Sequence, residues 1–305
     1  MVSVAARRFW SGMASAPKQV ELPIPERRAA GEHAEDATSE PVGVSCTPAP
    51  PVGGFLAVPP RARERAAILY LFGGGYMLGT PASRRKTAGH LALAAGVRVL
   101  VPNYRLAPEN PFPAALDDAV HAYRWLLAQG AEPNDIVTAG DSSGGGLAIA
   151  TLVAIREREL PMPAGGVGIS PWADLTCTGA SMQERASADL ECTRASLLEM
   201  AGWYMAGADP RQPLASPAFA NFSGLPPLLC VVGGDEVLLD DSVRLVRGAG
   251  AAGTDATLFV GAGMQHVFPI WAGVFPEADA AIRLIGGWVR ERLDACTAAG
   301  GSAKA

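Results

Sequence analysis

Six short apolar runs constrain this chain more than any other feature: Ala67–Phe72, Val97–Pro102, Ile136–Gly140, Gly166–Ser170, Leu228–Gly233 and Thr257–Val260. Each is closed by Gly, Pro, Asn or Asp, and helical patterns lie between them. A run that is apolar at every position, not at alternate ones, describes a strand covered on both faces. Such strands alternating with helices build a parallel sheet. A helix is predicted at Ala114–Ala128, where Leu116, Val120, Tyr123 and Leu127 recur at three- and four-residue steps, and another at Gly144–Leu160, which ends in REREL. Weaker runs at Val42–Cys46 and Gly54–Val58 come before any of these helices and predict an antiparallel edge. The alternation stops between Asp174 and Pro226, too long a stretch for a crossover, with a helical pattern at Arg194–Met205. This stretch reads as an insertion over the carboxyl edge of the sheet, with an amphipathic start at Val2–Met13 as a second lid element. One α/β domain over 1–305 is expected, with lid elements from about 1–40 and 177–222.

Composition removes several function classes. With 305 residues, 49% hydrophobic and 18% charged, the chain can bury a large core and does not read as disordered. A net charge of −5 speaks against a nucleic-acid partner. Cys46, Cys177, Cys192, Cys230 and Cys296 are odd in number and lack C-x-x-C spacing, so reduced, mostly buried thiols in a cytoplasmic protein are expected, with no metal site. Arg7 and Arg8 are not followed by the apolar core of a signal peptide, and no run approaches a membrane span. Gly248–Gly253 matches the dinucleotide pattern G-x-G-x-x-G but follows a helix and precedes a strand, the reverse of the required context.

Ligands of an open parallel sheet bind beyond the carboxyl ends of its strands. There, Ile136–Gly140 runs into Gly140-Asp141-Ser142-Ser143-Gly144 and then a helix, a G-x-S-x-G in strand–turn–helix context. The pattern is weak by itself, and the context makes Ser142 a candidate nucleophile. A serine hydroxyl needs a base. Of His33, His90, His121 and His266, only His266 follows Ser142, on a loop past the last strand. The acid that orients it is sought among Asp174, Asp189, Asp209, Asp235, Glu236, Asp240, Asp241 and Asp255; Asp235, at the end of the run LLCVVGG, is the expected partner, with Asp240 open. Donors for an oxyanion are expected from the N–H groups of Gly74, Gly75 and Ser143, with Gly73 shaping the turn. Tyr76, Trp172, Trp203, Tyr204 and Met205 are candidates for lining the pocket or for packing the core. Phe72, Gly73 and Asp141, next to the reacting groups, complete the candidate pocket with Tyr76 and Trp172.

Several long motifs occur in fixed order from about Ala67 to Leu293: GGGYMLG, NYRLAPENPFPAALDDAVHAYRWL, GDSSGG, SPWADLT, SGLPPLLCVVGGDEVLLDDS and GMQHVF. In these the chain resembles the bacterial hormone-sensitive-lipase-like branch of the α/β-hydrolase carboxylesterases. The resemblance implies an α/β-hydrolase fold: a mostly parallel eight-stranded sheet flanked by helices, with a helical cap. It implies no cofactor, a small-molecule ester of short to medium acyl length as substrate, and a homodimer through the edge near Thr257–Val260. It carries the triad onto Ser142, Asp235 and His266, and the oxyanion donors onto Gly74, Gly75 and Ser143. The sequence departs from the family at Phe72, where a histidine normally precedes the glycines, and at Asn110. Acyl transfer, or amide or lactone hydrolysis on the same triad, and a catalytically weakened ligand-binding protein on this fold are the rival expectations.

Overall fold

The computed structural model describes residues 2–15, 22–33 and 35–302, with side chains of the last helix described to residue 296. Strands β1 (Ser45–Ala49), β2 (Gly54–Val58), β3 (Ala67–Leu71), β4 (Arg98–Val101), β5 (Ile136–Asp141), β6 (Gly165–Ile169), β7 (Leu228–Gly233) and β8 (Ala256–Gly261) form one sheet in the order β1-β2-β4-β3-β5-β6-β7-β8. Strands β3 to β8 are parallel, while β1 pairs antiparallel with β2 and β2 with β4, as the run pattern predicts. Every residue of β3, β5, β6 and β7 is buried, which is why these runs show no alternation; β8, at the edge, is half open. The first strand begins at Ser45 and not Val42, because Pro41–Val44 closes a turn with Gly43 at φ 87°.

The helices are α1 (Val4–Ala14), α2 (Ile24–Gly31), α3 (Arg85–Ala95), α4 (Ala114–Ala128), α5 (Ser143–Glu157), α6 (Ser181–Glu184), α7 (Arg194–Met205), α8 (Leu239–Ala251) and α9 (Pro276–Ser302). The Gly248–Gly253 segment is the end of α8 and the turn into β8, so it offers no strand-to-helix cradle. All five cysteines are free; Cys177 and Cys230 are buried, Cys46 is exposed, and Cys192 and Cys296 lie between, so burial is less general than expected. Among the described residues no helix is long and apolar enough to cross a membrane.

Chain order and sheet order diverge between β3 and β5: from β3 the chain moves outward to β4, then returns to the other side of β3 as β5. The carboxyl ends of these neighbours form a crevice where crossovers leave in opposite directions. Leu71 pairs with Gly140, so the segments after the two strands emerge side by side.

Two groups of elements lie outside the alternation. Helix α1 packs Phe9 and Trp10 against Trp271 and Phe275 with ring centroids 4.8–5.5 Å apart, and its N-cap Ser3 is held by Glu277. Arg28 of α2 donates to the carbonyls of Met77 (2.8 Å) and Ala107 (3.0 Å) and to both carboxylate oxygens of Glu109, which holds that carboxyl at about 2. The second group is the excursion between β6 and β7, with α6 and α7. Its main helix starts at a capping box in which Thr193 and Ser196 satisfy each other's N–H groups. Arg27 of α2 meets Glu199 of α7 at 3.7 Å, so the two groups touch.

Candidate active site

Ser142 stands on a turn that most residues avoid. Its φ of 54° and ψ of −125° are a strained conformation for a non-glycine residue, of the kind that costs roughly 1–3 kcal/mol and is kept where surrounding structure fixes it. Here its N–H donates to Ile169 O (2.8 Å), and its carbonyl accepts from Trp172 N–H (2.9 Å) and Gly146 N–H (3.1 Å). The turn also needs space. A Cβ on Gly144 would sit 2.1 Å from Leu71 O and 2.4 Å from Phe72 O, so only glycine lets α5 start against the end of β3.

The imidazole of His266 meets the nucleophile: Nε2 lies 2.9 Å from Ser142 Oγ. Its other nitrogen lies 2.5 Å from Glu236 Oε2. An ionised carboxylate only accepts, so Nδ1 carries the proton and Nε2 is free to accept from the hydroxyl. The fully buried Glu236 is itself held at Oε1 by Gly233 N–H (2.7 Å) and by the Ser170 hydroxyl (2.8 Å). Ser170 in turn accepts from Val267 N–H (2.9 Å), tying the residue after the histidine to the same carboxylate. Burial alone would lower the His266 pKa, but the Glu236 carboxylate beside it pushes it above its ordinary value.

This corrects the expectation for Asp235. Strand β7 ends at Gly233, the chain turns through Gly234 and Asp235, and Asp235 N–H donates to Met264 O (3.0 Å). That turn sends the Asp235 side chain to an open crevice of about 400 Å³, lined also by Arg7, Trp10 and Gln265, while the next side chain, one methylene longer, points back under the imidazole. Asp240 is placed elsewhere too, with Oδ2 accepting from Ser181 N–H (3.0 Å).

The glycine run after β3 faces the elbow. Gly73 N–H is taken by Asp141 Oδ1 (3.0 Å), whereas the N–H groups of Gly74 and Gly75 have no partner among the turn and loop hydrogen bonds of the described residues. Ser143 is the first residue of α5, where an N–H has no partner within the helix, and its Oγ accepts from Tyr76 N–H (3.2 Å). Gly75, at φ 63°, lies directly under helix α7: a Cβ there would come within 2.0 Å of Met200 Sδ.

Three of the expected pocket residues are structural supports. Asp141 is wholly buried and holds Arg84 at both oxygens (2.9–3.1 Å) as well as the Tyr70 hydroxyl (2.8 Å) and Gly73 N–H. Phe72, where the family histidine would stand, stacks on Tyr104 at 4.1 Å, and the Tyr104 hydroxyl donates to Phe72 O (2.5 Å). Trp172 is fully buried, with its indole N–H on Asp174 O (3.2 Å). Tyr76 does reach the excursion, stacking flat on Tyr204 at 3.8 Å, whereas Trp203 is 38% exposed. Ser170 and Arg84 are the supports that sequence reasoning misses, while Glu236 stands among the sequence candidates without being preferred; Arg84 has no local signal, and Ser170 shows only as a polar residue closing an apolar run. No cluster of His, Cys, Asp or Glu able to hold a metal ion occurs among the described residues.

Comparison with known proteins agrees with this arrangement. Residues 68–270 match the family described as alpha/beta hydrolase fold. An acetyl-hydrolase of Streptomyces hygroscopicus is 45% identical over 88% of this chain and 90% of its own. An ethyl acetate hydrolase of Pseudomonas putida is 35% identical over 72% of this chain and 71% of its own. A crystallised esterase from the bacterial hormone-sensitive lipase family superposes with a TM-score of 0.90 at 40% identity, over 96% of this chain and 99% of that one. With an eight-stranded hydrolase sheet and a serine and histidine in contact at its switch point, the chain belongs to the bacterial hormone-sensitive-lipase-like carboxylic ester hydrolases of the α/β-hydrolase fold.

Proposed function

We propose that the protein hydrolyses esters of short acyl groups through an acyl-enzyme intermediate formed on Ser142. The observation that carries this reading is the unbroken chain of contacts from Ser142 Oγ to His266 Nε2 and from His266 Nδ1 to Glu236. Ser142 attacks the ester carbonyl while His266 takes its proton; Glu236 holds the tautomer and stabilises the imidazolium. The N–H groups of Gly74, Gly75 and Ser143 receive the oxyanion. His266 then protonates the departing alkoxide, and afterwards takes a proton from the water that releases the acid. Helices α1 and α2 and the β6–β7 excursion act as the cap. Met200 closing over Gly75 leaves little room beside the oxyanion loop, which favours acetyl to butyryl groups over longer ones.

The test is hydrolysis of p-nitrophenyl acetate, butyrate and hexanoate by wild type and Ser142→Ala. The expected result is turnover that falls toward hexanoate and is lost in the variant by at least about 10³-fold. Full activity in Ser142→Ala, or none in the wild type, would overturn the reading.

A further inference from the structure

The segment Ala188–Thr193, which leads into α7, is fastened to the two loops that carry Glu236 and His266. Asp189 Oδ2 accepts from Val237 N–H (2.8 Å), the residue after Glu236. Gln265, the residue before His266, accepts at Oε1 from Leu190 N–H (2.9 Å) and donates from Nε2 to Ala188 O (3.0 Å). The remaining oxygen of Asp189 accepts from the N–H groups of Glu191 (2.8 Å) and Cys192 (2.7 Å). Asp189 and Gln265 are themselves buried. The backbone of residues 189–192 is therefore fixed, and with it the two side chains presented beside the imidazole.

Burial pushes the Cys192 thiol up to about 11 against the pull of the His266 imidazole, so it stays protonated. Glu191 is a different kind of neighbour. Its Oε1 is shut off from solvent and has no hydrogen-bond partner among the described residues. Burial pushes its carboxyl up to about 7; the His266 imidazole opposes that shift, and Asp189 and Glu236 reinforce it. Arg84 also opposes the shift, but its guanidinium is already engaged by both oxygens of Asp141. A buried acceptor without a donor is destabilising, more so for a charged group, and the described residues supply Oε1 with no donor.

His266 Nε2 must both deprotonate Ser142 and protonate the departing oxygen, so the space flanking this ring is where the alcohol half of an ester lies. We propose that Glu191 is a specificity-determining residue that accepts a hydrogen bond from a donor group, an ammonium or a hydroxyl, on the alcohol half of the substrate. The substrate class is then an acyl ester of an amino alcohol or a polyol, not of a plain alkanol. A site built to hydrogen-bond a substrate donor discriminates strongly against the analogue that lacks it, because the buried acceptor is left unpaired again.

The inference rests on the esterase reading, and matched pairs of esters separate the two. 2-(Dimethylamino)ethyl acetate, protonated near neutral pH, is compared with 3-methylbutyl acetate, its apolar isostere; 2-hydroxyethyl acetate is compared with propyl acetate. Each pair is measured in wild type, Glu191→Gln and Glu191→Leu. Intrinsic ester reactivity cancels when the ratio of kcat/KM within a pair is compared between proteins. The expected result is a ratio that favours the donor-bearing ester and falls about tenfold or more in Glu191→Leu, chiefly through KM. Glu191→Gln, which keeps an acceptor but loses the charge, loses the ammonium preference and keeps a hydroxyl preference, so the two variants identify the donor. The melting temperature of Glu191→Leu should stay level or rise, since no bond is removed; a purely structural residue would show a lower melting temperature and unchanged ratios, and that result overturns the proposal. Ratios equal in wild type and Glu191→Leu for both pairs also overturn it, with the esterase reading intact. Failure of the wild type to hydrolyse any of the four esters, or hydrolysis that survives Ser142→Ala, overturns the esterase reading and the proposal together.

Discussion

Asp141 lies under the elbow, where two N–H bonds of Arg84, the Tyr70 hydroxyl and Gly73 N–H engage its two oxygens in five contacts between 2.8 and 3.1 Å. Glu191, beside the histidine on the excursion, keeps an oxygen that nothing in the described protein engages. Asp141 is wholly out of water and Glu191 at one oxygen, and Arg84 acts electrostatically on both. The sheet-side floor satisfies its charge internally, which fixes the glycine run and the nucleophile relative to each other. The cap-side wall leaves its charge unmatched. An unmatched acceptor on the segment fastened to the base's loop is open to a donor on a ligand, so the floor reads as catalytic scaffold and the wall as recognition.

The largest effect should fall on the floor's neighbour, Glu236. Glu236→Ala is expected to lower kcat/KM for p-nitrophenyl butyrate by about 10³–10⁴-fold, while Asp235→Ala stays within about threefold of wild type. Equal losses would return the acid role to residue 235. Next, Arg84→Met leaves Asp141 buried without its cation and should cost about 3–5 kcal/mol in urea unfolding. If it costs no more than Glu191→Leu, the contrast between floor and wall is gone. Third, Gly75→Ala forces a Cβ against Met200 Sδ at a left-handed φ; a kcat loss of about 10²-fold follows if a donor is displaced. Pairing it with Met200→Ala should recover part of the loss, and no recovery would place the damage in the loop's backbone and not in its contact with the cap.

Smaller effects come from pH. The base must be neutral to work, and burial, which alone would lower its pKa, is outweighed by the Glu236 carboxylate, which raises it above 6.5. Activity should therefore fall as pH drops through a value higher than that of a free histidine, and in Glu236→Gln the residual activity should extend to lower pH. A limb unmoved by the substitution would detach Glu236 from the imidazole. The least effect concerns Asp241, away from the reaction, where burial pushes the carboxyl up to about 8 against two backbone N–H bonds. Folded protein holds that proton between the unfolded value near 4 and about 8, so this group's contribution falls as pH rises through the window. Urea midpoints at pH 5 and 8 should decline less in Asp241→Asn than in wild type.

Much of this was legible in the residues, and the gaps have physical causes. Continuous apolar runs give strands whatever surrounds them, so β3 to β8, the switch point and the helices at 114–128 and 194–205 follow from pattern alone, although β8 at the edge stays half open where its run predicts cover on both faces. Ser142 and His266 follow from a glycine-framed turn and from chain order. The acid does not. Gly233 at the end of β7 and Gly234 after it erase the side-chain alternation that would say which of the consecutive residues Asp235 and Glu236 points inward, and only the turn, in which Asp235 N–H donates to Met264 O, decides it. Asp141 looked like a pocket residue because it adjoins the serine, and its partner Arg84 is 57 positions away in a segment with no periodic signal. Glu191 and Cys192 sit in a polar connection whose approach to His266 depends on Asp189 and Gln265, contacts that no local pattern announces.

Gln265 reaches across to Ala188 and Leu190 while its neighbour in the chain is the base. Any swing of that stretch away from the sheet, to admit a bulky molecule or discharge a product, pulls directly on the imidazole's own loop. Gaping and readiness are thus mechanically opposed in this hydrolase: traffic that keeps the base in register has to pass along the margin between Met200 and the glycine run and leave the fastened stretch at rest.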